Sequence, residues 1–306
     1  VPKQSQLSLS MVHSPQISVI IPHYNDLARL DICLTALENQ TLAADQFEII
    51  VADNHSPVGA EAVATVIRNR ARLIDAPVPG AGPARNAGVQ YAKAEILAFT
   101  DCDCIPDPAW LEQGLAALKA ADFAGGRMKV LIPADHPMTG AQAFEAVFAF
   151  NNRSYVEDKH FTVTANLFCP RKIFEAVGPF RTEVSEDKEW CLRARDHGYR
   201  IGYAPDAIVS HPARANWPEL RDKWARLNSE SFALITQNGS GRLLWLVRTW
   251  ALLPSILFHG VKVLRSDVLS GAGIRLSVLG ILTRLRLWRF VYGHRLLLRK
   301  RRRGQG

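Results

Sequence analysis

Between residues 17 and 101 the chain alternates short, continuously apolar runs with helical patterns, and few folds accept that order. The runs are ISVII (17–21), FEIIVAD (47–53), RLIDA (72–76) and EILAFTD (95–101), with helical patterns over 26–39, 59–69 and 82–93. A strand without alternating polarity is buried on both faces, so the pattern calls for a mostly parallel sheet covered by helices on both sides. The expected class is α/β, the first hundred residues forming a nucleotide-binding type of half-domain. Ligands of such sheets sit beyond the carboxyl ends of the strands. Three polar clusters occupy those positions: residues 22–25 (PHYN), Asp53 with Asn54, and residues 101–103 (DCD).

The remainder is less regular. A strand is expected at 123–132, a helix at 139–152, a helix after Ser185 that ends at Gly198, and two short strands between 200 and 210. The expected division is a flexible segment at 1–16 and a catalytic domain at 17–235. Within that domain, 17–104 would bind the nucleotide-linked group and 105–235 the acceptor. Basic, amphipathic helices would follow at 236–306. Segment 1–16 lacks the basic-then-apolar order of a signal peptide.

Charge is uneven along the chain. The formal net charge is +8, yet no acidic residue follows Asp267, while Arg275, Arg284, Arg286, Arg289, Arg295, Arg299, Lys300, Arg301, Arg302 and Arg303 do. Without these ten, 27 basic residues face 29 acidic ones, so the first 267 residues carry about −2. The basic tail is rich in Leu and Trp, and its longest run free of charge and histidine, 249–258, is far short of the roughly 20 residues that span a bilayer. That composition fits helices lying in a membrane interface, basic side toward anionic headgroups, and it argues against a nucleic-acid arm. The amphipathic pattern is moderate, because Arg275, Arg286 and Arg289 share a side while Arg284 lies opposite. Five cysteines (33, 102, 104, 169 and 191) without a C-x-x-C pair argue against a disulfide framework or a structural zinc site.

Asp101 and Asp103 place two carboxylates at i and i+2 just past a buried strand. Hard cations such as Mg²⁺ or Mn²⁺ take such oxygen ligands and bridge them to phosphates, although solvated acidic turns also look this way. GAGPAR (80–85) lacks the third glycine of a dinucleotide fingerprint and follows the third strand, so it reads as a helix opening whose N-terminus, with Arg85, faces negative charge, or as a capped surface helix. Ser185, Glu186 and Asp187 suit a helix N-terminus on structural grounds alone. His211 is either a loop histidine or a metal ligand.

Taken in order, IPHYN, VADN, GPARNAG, TDCD, NLFCPRKIFEAVGPF, SEDKEWCLRARDHGYRI and SHP resemble glycosyltransferase family 2, over residues 17–211. The resemblance implies a GT-A fold and an inverting, metal-dependent transfer from a nucleotide-diphosphate sugar. By that resemblance Pro22, Tyr24 and Asp53 lie around the base, with Asp53 accepting a uracil imide hydrogen bond. Arg85 braces the D-x-D turn and the diphosphate. Asp101 lies near the ribose, and Asp103 binds Mg²⁺ or Mn²⁺, with His211 and Asp101 completing the metal set. Asp187 becomes the general base, supported by Glu186. Asn166 is an acceptor contact or a turn asparagine, Trp190 an acceptor platform or a buried aromatic, and Arg214 a cation closing on the diphosphate or part of a surface loop. The expected acceptor is a glycan or a polyprenyl-diphosphate-linked glycan, in surface or exopolysaccharide synthesis. The expected location is the cytoplasmic face of the membrane. A catalytically silent nucleotide-sugar-binding scaffold is the competing reading.

Overall fold

The structure is a computed structural model and describes residues 14–182, 184–236 and 241–298. Most of the segment expected to be flexible, and the cations from Arg299 to Arg303, lie outside these residues. The first half runs β1 (Ile17–His23), α1 (Leu27–Glu38), β2 (Phe47–Asp53), α2 (Ala60–Ile67), β3 (Arg72–Asp75), α3 (Ala81–Tyr91), β4 (Ile96–Phe99), β5 (Ile105–Pro106) and α4 (Trp110–Ala117). Next come β6 (Phe123–Leu131), α5 (Gly140–Phe148), α6 (Asn152–Glu157), β7 (Leu167–Pro170), α7 (Arg171–Val177), α8 (Glu186–Asp196) and β8 (Ile201–Pro212). The chain then continues through α9 (Trp217–Ile235), α10 (Gly241–Trp250), α11 (Ser255–Leu264) and α12 (Ala272–Leu298).

One eight-stranded sheet carries the order β3-β2-β1-β4-β7-β6-β8-β5. The first four strands are parallel, as the apolar runs require, while β7 is antiparallel to β4 and β6, and β5 is antiparallel to β8. Because β1, β2 and β4 point the same way, their carboxyl ends bring the three polar clusters to one rim. Alternate residues of β1 feed opposite cores. Ile17, Val19 and Ile21 pack with Leu30, Leu34 and Leu37 of α1, while Ile20 packs with Phe99, Phe174 and Trp190. The α1 face follows the i, i+3, i+4, i+7 spacing, and the Asp26 side chain caps the helix by accepting from Arg29 N.

Two expected elements differ. The strands expected between 200 and 210 form the single strand β8. Its pairing with β6 jumps from Gly126↔Ala204 to Arg127↔Ile208, so Pro205, Asp206 and Ala207 bulge out and imitate a break. The helix expected at 139–152 stops at Phe148, because Phe150 takes φ 52° and Asn151 caps a new helix, α6.

The basic tail is not one exposed amphipathic layer. Val278, Leu282 and Leu285 of α12 close a third core with Phe144 of α5, Leu220 of α9 and Val263 of α11. Arg289, expected to face headgroups, is buried against Trp224 and Asn228, whereas Arg284 turns outward and stacks on Trp217 at 4.2 Å. Among the described residues no single helix is long and apolar enough to cross a membrane. Helices α10 and α11, bent by 51° at their junction, reach that length and apolarity only as a pair.

Candidate active site

At the end of β1, His23 Nδ1 meets Asp53 Oδ1 at 2.7 Å, and His23 Nε2 accepts from Asp26 N at 3.2 Å, so the ring proton sits on Nδ1. Ser56 adds two bonds to Asp53, from Oγ to Oδ1 at 2.5 Å and from N to Oδ2 at 3.1 Å. Burial pushes the Asp53 carboxyl up, but the bonds from Ser56 and His23 outweigh it and hold the group below its usual range. Oδ2, with one donor, retains acceptor capacity. Tyr24 stands beside this pair, 59% exposed. Pro22 is buried opposite Ala52 and forms part of the wall at the end of β1.

Arg85 links the D-x-D turn to the start of α8. Its side chain is enclosed and forms close ion pairs with Asp101 through Nη2 and with Glu186 through Nη1. The pairing with Asp101 braces the D-x-D turn, while Nε, also enclosed, has no hydrogen-bond partner among the described residues. Glycines make room for this link: Gly80 at φ 119° opens α3, and a Cβ on Gly82 would run into the Glu186 carboxylate. Burial pushes the Glu186 carboxyl up, Arg85 opposes that, and Asp187 and Asp101 add to it. Asp187 Oδ1 accepts from Ser185 Oγ at 2.9 Å and from Lys188 N at 2.7 Å, which leaves Oδ2 free of bonds among the described residues.

β5 begins two residues after Asp103 and pairs with β8 in the register Ile105↔Ser210, which sets His211 beside the acidic turn. His211 Nδ1 lies 2.8 Å from the Pro212 carbonyl, to which only an N–H can bond, so the lone pair is on Nε2. That nitrogen faces Asp103 Oδ2 at 3.4 Å. Burial lowers the His211 pKa, Asp103 opposes, and Arg214 and Lys223 lower it further, so the ring is held neutral and two acceptors confront each other. A cation resolves that confrontation. Donor atoms of Asp101, Asp103 and Cys104 also converge within 4.8 Å. Burial, with help from the aspartates, drives the Cys104 thiol pKa well up and the Cys102 thiol to about 12, so both stay protonated and the effective donors are oxygen and imidazole. The set fits Mg²⁺ or Mn²⁺.

Neither expected acceptor contact faces the cleft. Asn166 is 0% exposed, its Oδ1 accepting from Trp110 Nε1 and its Nδ2 donating to the Arg127 and Ala207 carbonyls. Trp190 is equally buried among Phe123, Phe174 and Phe180, its indole N–H spent on the Gly178 carbonyl. Both are fastening residues. Others near the charged groups went unread in the sequence. Buried Glu145 of α5 accepts from Arg214 N at 2.7 Å and pairs closely with Lys223 of α9, whose ammonium lies 5.1 Å over the Phe150 ring, itself 5.1 Å from His211. Tyr155 stacks on Phe161 at 5.0 Å and feels the charge of Asp187. Only the fold brings these residues together; no local motif marks them.

Residues 18–178 match the sequence family described as Glycosyl transferase family 2. The chain belongs to that family. Glycosyltransferase AglE of Haloferax volcanii is 34% identical over 208 residues, 65% of this chain and 68% of its own length. The pre-mycofactocin glycosyltransferase of Mycobacterium tuberculosis is 26% identical over 219 residues, and the match spans 45% of that longer protein. Among solved structures, the mannosyltransferase PcManGT of Pyrobaculum calidifontis, held with GDP-Man and Mn²⁺, aligns at TM-score 0.61 and 17% identity over 94% of this chain and 88% of its own. S. aureus TarS 1-349 with UDP-GlcNAc aligns at 0.50 and 18%, over 88% of this chain and 72% of that one. The family 2 chain has the GT-A fold and is a nucleotide-sugar-dependent glycosyltransferase.

Proposed function

We propose that this family 2 enzyme transfers a sugar, with inversion, from a UDP-sugar to a glycan or polyprenyl-diphosphate-linked glycan in surface or exopolysaccharide synthesis. It would use a divalent metal and work at the cytoplasmic face of a membrane. The observation that carries the reading is the Arg85 bridge. One buried guanidinium fixes the D-x-D turn, where a leaving diphosphate would sit, against the helix that begins with Glu186 and Asp187. A displacement needs those two groups held at opposite ends of one reacting bond.

Asp103, His211 and Asp101 would hold the divalent ion, whose chemistry is to neutralise the charge growing on the diphosphate. Arg214 and Lys223 add positive charge on the same side, as their effect on His211 indicates. At the other end Asp187 takes the acceptor hydroxyl's proton through Oδ2, since Ser185 and Lys188 hold Oδ1. One base acting opposite the leaving group inverts the anomeric centre. Glu186, paired with Arg85, positions the helix start. Tyr24 and Asp53 Oδ2 receive the base. The donors held by the two structural neighbours, UDP-GlcNAc and GDP-Man with Mn²⁺, support a nucleotide-diphosphate sugar.

The membrane part of the reading rests on Leu243, Val247, Trp250, Leu257 and Phe258, large apolar side chains exposed on α10 and α11, with Phe258 77% exposed. Removing the tail would uncover the third core, so point changes are the cleaner probe. Leu257→Glu with Phe258→Glu should abolish sedimentation with anionic vesicles; undiminished sedimentation would remove the membrane from the account. The catalytic reading is tested by nucleotide release from a panel of nucleotide sugars with Mn²⁺. Release restricted to UDP-sugars is expected, and full turnover in excess chelator would overturn it.

A further inference from the structure

The side chain of His23 is fully buried at the end of β1, and both of its ring nitrogens are engaged. Nδ1 donates to Asp53 Oδ1 at 2.7 Å, and Nε2 accepts at 3.2 Å from the backbone N–H of Asp26, the N-cap of α1. Ser56 Oγ donates to the same Oδ1 at 2.5 Å and accepts from Asn25 N at 2.8 Å, while Ser56 N donates to Oδ2 at 3.1 Å. Asn25 takes φ 53° and His55 φ 56°, left-handed conformations that residues other than glycine adopt only where the surrounding bonds hold them. Tyr24 stands between His23 and Asn25, both tied to this network, with its own side chain exposed.

Three donors converge on Asp53, which favours its ionised form, an acceptor with no proton to give. Oδ1 takes two of them, so both its lone pairs are filled. Oδ2 takes one, which leaves it room for a single further N–H. Nucleobases differ in what they bring to such an acceptor. Uracil offers one imide N–H flanked by carbonyls. Cytosine has a lone pair at the same ring position, which an ionised carboxylate repels. Guanine offers a ring N–H beside an amino N–H, a pair that binds best to both oxygens of a carboxylate at once, and here Oδ1 is already occupied.

We propose that His23 and Ser56 are positioning residues that set base specificity: by filling Oδ1 and tying down the turn that carries Tyr24, they leave Asp53 one acceptor position, which selects uracil over guanine and cytosine. The inference rests on Asp53 receiving the base of the nucleotide sugar. It gives the proposed UDP preference a cause in two residues that do not themselves touch the base.

The test measures binding of UDP, GDP and CDP to the full chain by calorimetry in the presence of Mn²⁺. UDP should bind about 10-fold or more tighter than either of the others, the effect of one hydrogen bond to a charged group. His23→Phe keeps a ring in the buried position but frees Oδ1, so the preference for UDP over GDP should fall by about 5-fold or more. His23→Asn, whose amide N–H stands in for Nδ1–H, should keep most of it. Thermal unfolding checks that each variant folds, and Ser56→Ala, which frees the same oxygen, gives the same reading if His23→Phe does not fold. A loss of affinity shared equally by the three nucleotides would make the network structural and overturn the inference. So would a UDP preference that survives both His23→Phe and Ser56→Ala, and in either case the wild-type preference leaves the UDP reading standing. Wild-type binding of GDP or CDP as tight as that of UDP would overturn the inference and the UDP reading together, while metal-dependent hydrolysis of a nucleotide sugar reads the catalytic proposal separately.

Discussion

Gly82 approaches Glu186 so closely that a Cβ at position 82 would overlap the carboxylate, with Phe180 Cβ at 3.4 Å closing another side. The opening turn of α3 and the start of α8 are thereby fixed to each other, and Arg85, on the next turn, completes the link to Asp101. Gly82→Ala must push Glu186 away. The substitution should cost about 1–3 kcal/mol of stability and reduce transfer about 10-fold or more. Thermal unfolding and product formation read the two effects, and normal transfer by a folded variant would show that this contact does not position the base.

The acceptor-to-acceptor meeting of His211 Nε2 and Asp103 Oδ2 gives a second expectation. His211→Ala removes the imidazole from the donor set, so Mn²⁺ affinity measured by calorimetry in the presence of UDP should fall about 10-fold or more. Unchanged affinity would mean that the aspartates alone hold the ion.

The Asp53 carboxyl is held below its ordinary value by Ser56 and His23 against the opposing effect of burial. A lowered folded-state pKa stabilises the fold above the unfolded value of about 3.9 and loses that contribution as pH falls through the folded value. Asp53→Asn should therefore be less stable than wild type at neutral pH, with the gap closing below about pH 4. Denaturant unfolding across that range measures the gap; a constant difference would assign the loss to packing instead.

Glu145 holds Lys223 and the backbone of Arg214 from a buried position on α5. Glu145→Gln leaves a buried ammonium without its counter-charge, a change that costs about 3 kcal/mol in comparable pairs. A fall in thermal midpoint should accompany a rise in KM for the nucleotide sugar, because in the proposed mechanism both cations add positive charge at the donor's diphosphate. A folded variant with unchanged KM would restrict Glu145 to structure.

The fold was legible where physics acts locally. Four apolar runs separated by helical patterns force the parallel half of the sheet, and residues just past strands β1, β2 and β4 do meet at one rim. The pair Asp103 and His211, 108 positions apart, was legible only through resemblance, since the register of β5 on β8 brings it together. What misled was solvent exposure. Trp190 and Asn166 both stand beside recognisable motifs, yet the core claims each of them. Burial depends on what packs from elsewhere in the chain, and a motif does not carry that information. Glu145 and Lys223 were illegible for the matching reason: each is one polar residue on a helix, and only tertiary packing makes them partners. The tail misled differently, its leucines belonging partly to a third core with Phe144 and Leu220.

The central claim is that Asp187, and not Glu186, deprotonates the acceptor. Glu186 is occupied by Arg85, while Asp187 keeps Oδ2 free among the described residues. Measuring nucleotide-sugar binding by calorimetry and transfer by product formation, in parallel for Asp187→Asn and Glu186→Gln, tests it directly. The account predicts that Asp187→Asn retains donor affinity while transfer falls by roughly 10²- to 10⁴-fold. Near-normal transfer by Asp187→Asn would contradict it, whatever Glu186→Gln does.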